Sequence, residues 1–107
     1  MKLDELFEEA AGRLLSGSAG VERGRIVHSV GLKTAGKFFA FVRRDELVVK
    51  LPAERVAELV ADRTGRPFDA GRGRPMKEWV CLRPGDQATC AAYMVEACRF
   101  IAAPTRP

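Results

Sequence analysis

Between residues 25 and 51 three β-type runs follow one another with chain enough between them only for tight turns, and this limits the fold more than any other feature. Residues 25–32 contain Ile26, Val27 and Val30, and residues 37–43 contain Phe38, Phe39, Phe41 and Val42. Residues 46–51 alternate Leu47, Val49 and Leu51 with Val48 and Lys50. The connections are Lys33-Thr34-Ala35-Gly36 and Arg44-Asp45. A parallel crossover takes a dozen or more residues, whereas antiparallel neighbours need only a few. The three runs therefore predict an antiparallel meander, with Gly36 free to take the positive φ of a hairpin turn.

Helical patterns flank the meander. Leu3, Leu6, Phe7, Ala10 and Leu14 recur at helical spacing and predict an amphipathic helix over 3–15. Asp4, Glu5, Glu8 and Glu9 suit the positive end of its dipole, and Ser16-Gly17-Ser18-Ala19-Gly20 ends it. After the meander, Pro52 suits a first helical turn, Val56, Leu59 and Val60 form a stripe beside Ala57, and Gly65 stands where a C-cap belongs. Residues 65–75 are rich in glycine, proline and arginine and read as a loop. Residues 77–82, with Trp79, Val80 and Cys81, predict a fourth strand. Pro84-Gly85-Asp86 forms a turn with Asp86 as N-cap, and Cys90, Tyr93, Met94, Ala97, Cys98 and Ile101 mark a last helix.

The expected order is α-β-β-β-α-β-α. It describes an α+β fold of two layers, an antiparallel sheet of about four strands with helices on one face. The 107 residues suffice for one domain, expected over 1–103 with a frayed tail at 104–107. No apolar run approaches the ~20 residues of a membrane span. Met1-Lys2-Leu3-Asp4-Glu5 turns acidic at once, unlike a secretory leader, so the expected location is cytoplasmic. Cys81, Cys90 and Cys98 are odd in number and lack CxxC spacing, which favours packing over disulfides.

Charge is uneven. Residues 1–20 are acidic, whereas residues 63–77 hold Arg63, Arg66, Arg72, Arg74 and Lys77 against Asp69 alone. The balance of that one segment equals the net charge of +4 of the whole chain. Such a segment can draw an anionic partner through its field.

Two stretches resemble a known family. Gly31-Leu32-Lys33-Thr34-Ala35-Gly36-Lys37-Phe38-Phe39-Ala40 is similar to the Gly-Leu…Gly-Lys-x-Phe-Ala hairpin of the TfoX/Sxy N-terminal-domain family, and Leu47-Val48-Val49-Lys50-Leu51-Pro52 continues the similarity. The segment from Pro67-Phe68-Asp69 through Arg72-Gly73-Arg74-Pro75 to Trp79-Val80 is its most specific part. The resemblance covers roughly residues 21–100 and extends to the related MmcQ/YjbR small proteins. It implies a two-layer α+β domain, similar in outline to secretion-chaperone folds, with no catalytic residues.

The residues themselves offer few sites. His28 lies beside Ser29, but neighbouring strand residues point to opposite faces, so the two do not form a catalytic pair. Cys90 and Cys98 lie about two helical turns, or ~12 Å, apart and cannot share a zinc ion. Lys37-Phe38-Phe39-Ala40-Phe41-Val42 echoes an RNA-recognition consensus whose aromatics stack bases. Here a bulky Phe38 replaces the glycine, a hairpin strand follows, and Phe39 and Phe41 are expected to share a face and meet the helices as core. In the basic segment, Arg66, Arg72, Arg74 and Lys77 are the candidate contacts to an anion or nucleic acid, helped by Arg43 and Arg44. The competing structural expectation is a loop that covers a sheet edge, anchored by Phe68 and Trp79.

With no acid–base pair or activated nucleophile in view, the expected function is a non-enzymatic binding or accessory domain, with no metal and no cofactor. Its expected partners are a second copy of the chain or another protein. Weak, non-specific nucleic-acid binding through residues 63–77 is the alternative.

Overall fold

A computed structural model describes residues 2–17, 20–26, 29–68 and 77–102. In chain order the elements are α1 (Leu3–Gly17), β1 (Glu22–Ile26), β2 (Ser29–Thr34), β3 (Lys37–Arg43), β4 (Glu46–Lys50), α2 (Ala53–Ala61), β5 (Gly65–Pro67), β6 (Trp79–Leu82) and α3 (Gln87–Ala102). The six strands form one sheet in the order β1-β2-β3-β4-β6-β5, antiparallel throughout.

The fold class and the meander are as expected, but the sheet has six strands where about four were expected. The run 25–32 divides. Ile26 pairs with Ser29, so only residues 27 and 28 separate β1 from β2. No glycine, proline or asparagine stands between Ile26 and Ser29 to divide the run, and Glu22-Arg23-Gly24-Arg25 carries no strand signature of its own. The second added strand is β5, inside what reads as a loop. Gly65 opens this strand and is not a helix cap; α2 ends at Asp62, and Arg63 takes the left-handed conformation, with φ 66°. Residues 69–76, with Arg72 and Arg74, lie outside the described residues, as do His28 and the tail 103–107.

The helices cover one face of the sheet. Leu32, Ala40, Leu47, Val49, Val80 and Leu82 form a single buried core with Leu6, Phe7 and Leu14 of α1, Val56 and Leu59 of α2, and Met94 and Ala97 of α3. Strand alternation sends the intervening residues to the opposite face. There Phe41, Val48 and Cys81 make a second, smaller buried cluster with Phe68 and Trp79 packed on it, and among the described residues no helix contributes to it.

A bulge sorts the phenylalanines of β3. Leu32 pairs with Ala40 but Lys33 pairs with Phe38, which leaves Phe39 as an extra residue. Phe39 and Ala40 are consequently both buried in the helix-side core, while Phe41 points the other way. The expectation that Phe39 and Phe41 share a face is thus corrected: one inserted residue reverses the alternation between them. Phe38 also lies on the helix-free face, where Gly24 and Gly31 stand opposite each other and leave room for its ring. A Cβ on Gly24 would come within 2.9 Å of that ring.

Candidate functional site on the helix-free face

The helix-free face is rich in cations for a simple reason of register. Lys33, Arg43, Lys50 and Arg66 fall on the same alternate positions as Gly31, Phe41, Val48 and Cys81, and Arg83 follows two residues after Cys81. Among the described residues of these strands, Glu22 and Glu46 are the acids on that side.

Each of three cations lies over an aromatic ring. Lys33 Nζ is 5.9 Å from the Phe38 centroid, the Arg43 guanidinium carbon 5.6 Å from that of Phe68, and Lys50 Nζ 5.9 Å from that of Trp79. These separations suit cation–π attraction. The rings themselves cluster. Phe41 meets Phe68 edge-on at 5.8 Å and Trp79 at 5.6 Å, and Phe68 and Trp79 are 6.4 Å apart. Phe41 is buried beneath the other two, which stay partly exposed. Phe68 and Trp79 thus pack together on Phe41; the loop they were expected to anchor over a sheet edge, at residues 69–76, lies outside the described residues.

At one end of this surface a cavity of about 170 Å³ opens between the β3–β4 turn and β5. Arg43, Arg44, Arg66, Glu46 and Phe68 contribute to its lining. Glu46 is only 5% exposed. Arg66 donates two hydrogen bonds to its carboxylate, from Nε at 2.8 Å to Oε2 and from an η nitrogen to Oε1. Arg83 Nε stands 3.7 Å from the same carboxylate. The Arg66 hydrogen bond holds the Glu46 carboxyl below its ordinary range, against the burial that pushes it up, and the charges of Arg66 and Arg83 add to the lowering. Glu46 thus stays ionised and fixes Arg66 at the cavity wall.

Arg66, the first of the expected contacts, is accordingly on β5 and already joined to Glu46. Lys77 is exposed but lines a different, shallow groove with Lys50, Ala53, Glu78 and Trp79. Arg43 and Arg44, expected only as helpers, are the residues that share the cavity with Arg66. Glu46, Lys50 and Arg83 escaped the sequence reading, since neither periodicity nor charge density separates them from ordinary strand and loop residues.

Cys81, Cys90 and Cys98 are in no disulfide and are buried. Burial raises the thiol pKa of Cys90 and of Cys98, the latter against the Arg99 charge, which suits packing and not nucleophilic chemistry. No family model, curated protein or solved structure matches this chain significantly. Among the described residues no helix is long and apolar enough to cross a membrane.

Proposed function

We propose that the chain is a non-enzymatic binding domain of the TfoX N-terminal type, and that it receives an anionic partner on the helix-free face of its sheet. The observation that carries this reading is the gathering of Lys33, Arg43, Lys50, Arg66 and Arg83 on one face, three of them over aromatic rings. The kinship rests on the sequence similarity around residues 31–40 and 67–80. A cytoplasmic location belongs to the same proposal and draws on three cysteines that are in no disulfide, which an oxidising compartment would tend to pair.

Binding of a polyanion through this face releases counterions, so affinity falls as salt rises. The test is heparin affinity followed across a salt series, for the unaltered chain and for Arg43→Ala/Arg44→Ala. Retention that weakens with salt and drops in the variant supports the reading. Equal retention of the two proteins, or none at low salt, removes it.

Self-association is a second reading. It is favoured by the shallow groove that Ala88, Ala91, Ala92 and Val95 line on the outer side of α3, and its readout is a mass that rises with concentration.

A further inference from the structure

The anionic partner can be specified further from the size of the cavity and from what adjoins it. Pockets that enclose a whole small molecule run to roughly 300–1,000 Å³. A cavity of about 170 Å³ is too small for that and takes one group of a larger ligand. Arg43, Arg44 and Arg66 contribute to its wall, and the acid in that lining, Glu46, is already joined to Arg66 and flanked by Arg83. Arg43 and Arg44 in that lining call for an anion, and planar guanidinium groups match the oxygens of a phosphate.

Next to this cavity the surface becomes aromatic. Phe68 belongs to the cavity lining itself, and Trp79 follows at 6.4 Å under Lys50. A phosphate site opening directly onto partly exposed rings suits a chain that alternates phosphates with flat, unpaired bases. Duplex DNA keeps its base faces inside the stack and offers the rings nothing, whereas a single strand presents a π-face with every base. An acidic peptide would satisfy the arginines but would leave the rings unused.

Resting on the anionic-partner reading above, we infer that this surface binds single-stranded nucleic acid, with a backbone phosphate in the arginine cavity and bases stacked on Phe68 and Trp79. A base arriving over Trp79 displaces the Lys50 ammonium from the ring towards the neighbouring phosphate. Arg43 moves off Phe68 in the same way. The bound strand therefore exchanges cation–ring contacts for base–ring contacts and keeps every cation neutralised. The cations supply affinity without regard to sequence, and the rings supply the preference for unpaired strands.

Trp79 is the chain's only tryptophan, so its fluorescence reports on the site directly. The test titrates the full chain with oligothymidylate, with a duplex at equal phosphate concentration, and with heparin, which carries charge but no bases. Binding of labelled strands is followed by anisotropy and the Trp79 signal is recorded alongside. The expected result is preferential binding of oligothymidylate with quenching of Trp79. Phe68→Leu should weaken that binding about five- to hundredfold, the loss of one stacked base, with little change in salt dependence. Arg44→Asn, at an exposed turn where folding is not at risk, should instead flatten the salt dependence by about 0.7 in the log–log slope, one phosphate contact on a single strand. Heparin binding together with oligothymidylate that binds no better than duplex and leaves Trp79 unquenched overturns the inference and spares the anionic-partner reading. Failure of all three ligands at low salt overturns both.

Discussion

Glu46 is the residue on which the candidate site turns. Its carboxylate is buried, yet it stays charged because Arg66 and Arg83 stand over it. Removing the carboxylate charge should lower stability at neutral pH by about 1–3 kcal/mol, the usual cost of breaking a buried charge-assisted hydrogen bond. Since its folded pKa is lowered, Glu46 contributes stability above the unfolded pKa and loses that contribution as pH falls through the folded value. Urea unfolding of the native chain and of Glu46→Gln should therefore differ at neutral pH and converge in strong acid. A constant gap at all pH values would mean that packing, and not charge, sets the difference. None of this is legible in the sequence, where Glu46 is one acid beside a turn. The two-residue turn Arg44-Asp45 sets it opposite Arg43, but only the β5–β6–β4 pairing brings Arg66 within reach.

At the scale of the element, the β2–β3 and β3–β4 hairpins solve the same problem with different residues. The β2–β3 turn uses Ala35 and Gly36 at φ 54° and 77°, and the β3–β4 turn uses Arg44 and Asp45 at 51° and 62°. Left-handed backbone costs a non-glycine residue about 1 kcal/mol or more, less for asparagine and aspartate. Arg44 is thus held in a conformation that asparagine would adopt more readily. Arg44→Asn should raise stability by about 0.5–1 kcal/mol in thermal or urea unfolding while it weakens polyanion binding. A variant that loses stability would show that the arginine side chain contributes to the turn more than its backbone costs.

Other elements were legible from local chemistry. The Asp86 carboxylate accepts a hydrogen bond from the Thr89 amide at 2.7 Å and caps α3 as its sequence context predicts. The Phe39 bulge was not legible, because the shift lies in the pairing of β2 with β3 and nothing in Lys37-Phe38-Phe39-Ala40-Phe41 announces it.

Across the whole molecule, side chains distant in sequence tie the helical layer to the sheet and the helices to one another. Arg23 on β1 makes two hydrogen bonds to Glu8 on α1, at 2.8 and 3.1 Å. Arg55 on α2 bonds Glu96 on α3 at 2.9 Å, and the Gln87 side-chain amide donates to the Leu6 carbonyl at 3.1 Å. The exposed ion pairs among these contribute little each. The core between the layers dominates, and it is deepest over β3, β4 and β6, where Phe39, Leu47, Val49, Val80 and Leu82 are shielded from solvent. Amide hydrogen exchange should accordingly be slowest in β3 and β4, the two central strands. It should be fastest at the edges, in β1 and in the three-residue β5. Exchange from β5 as slow as from β4 would contradict this ordering and would point to protection of that edge by another part of the chain.

What the sequence determined by itself was whatever depends on neighbours along the chain: three amphipathic helices, the antiparallel meander, its short turns, the α3 cap and the burial of the cysteines. These follow from periodicity, steric preference and hydrogen bonds that span a few residues. Only the tertiary structure decided that six strands pair, that β1 and β5 are strands at all, and that the phenylalanines divide between two faces. It also decided that Arg43, Arg44 and Arg66 meet around one buried carboxylate. The physical reason is common to all of these. An edge strand such as Glu22–Ile26 exists because a partner satisfies its backbone, and a site exists because register and a bulge bring distant side chains to one surface.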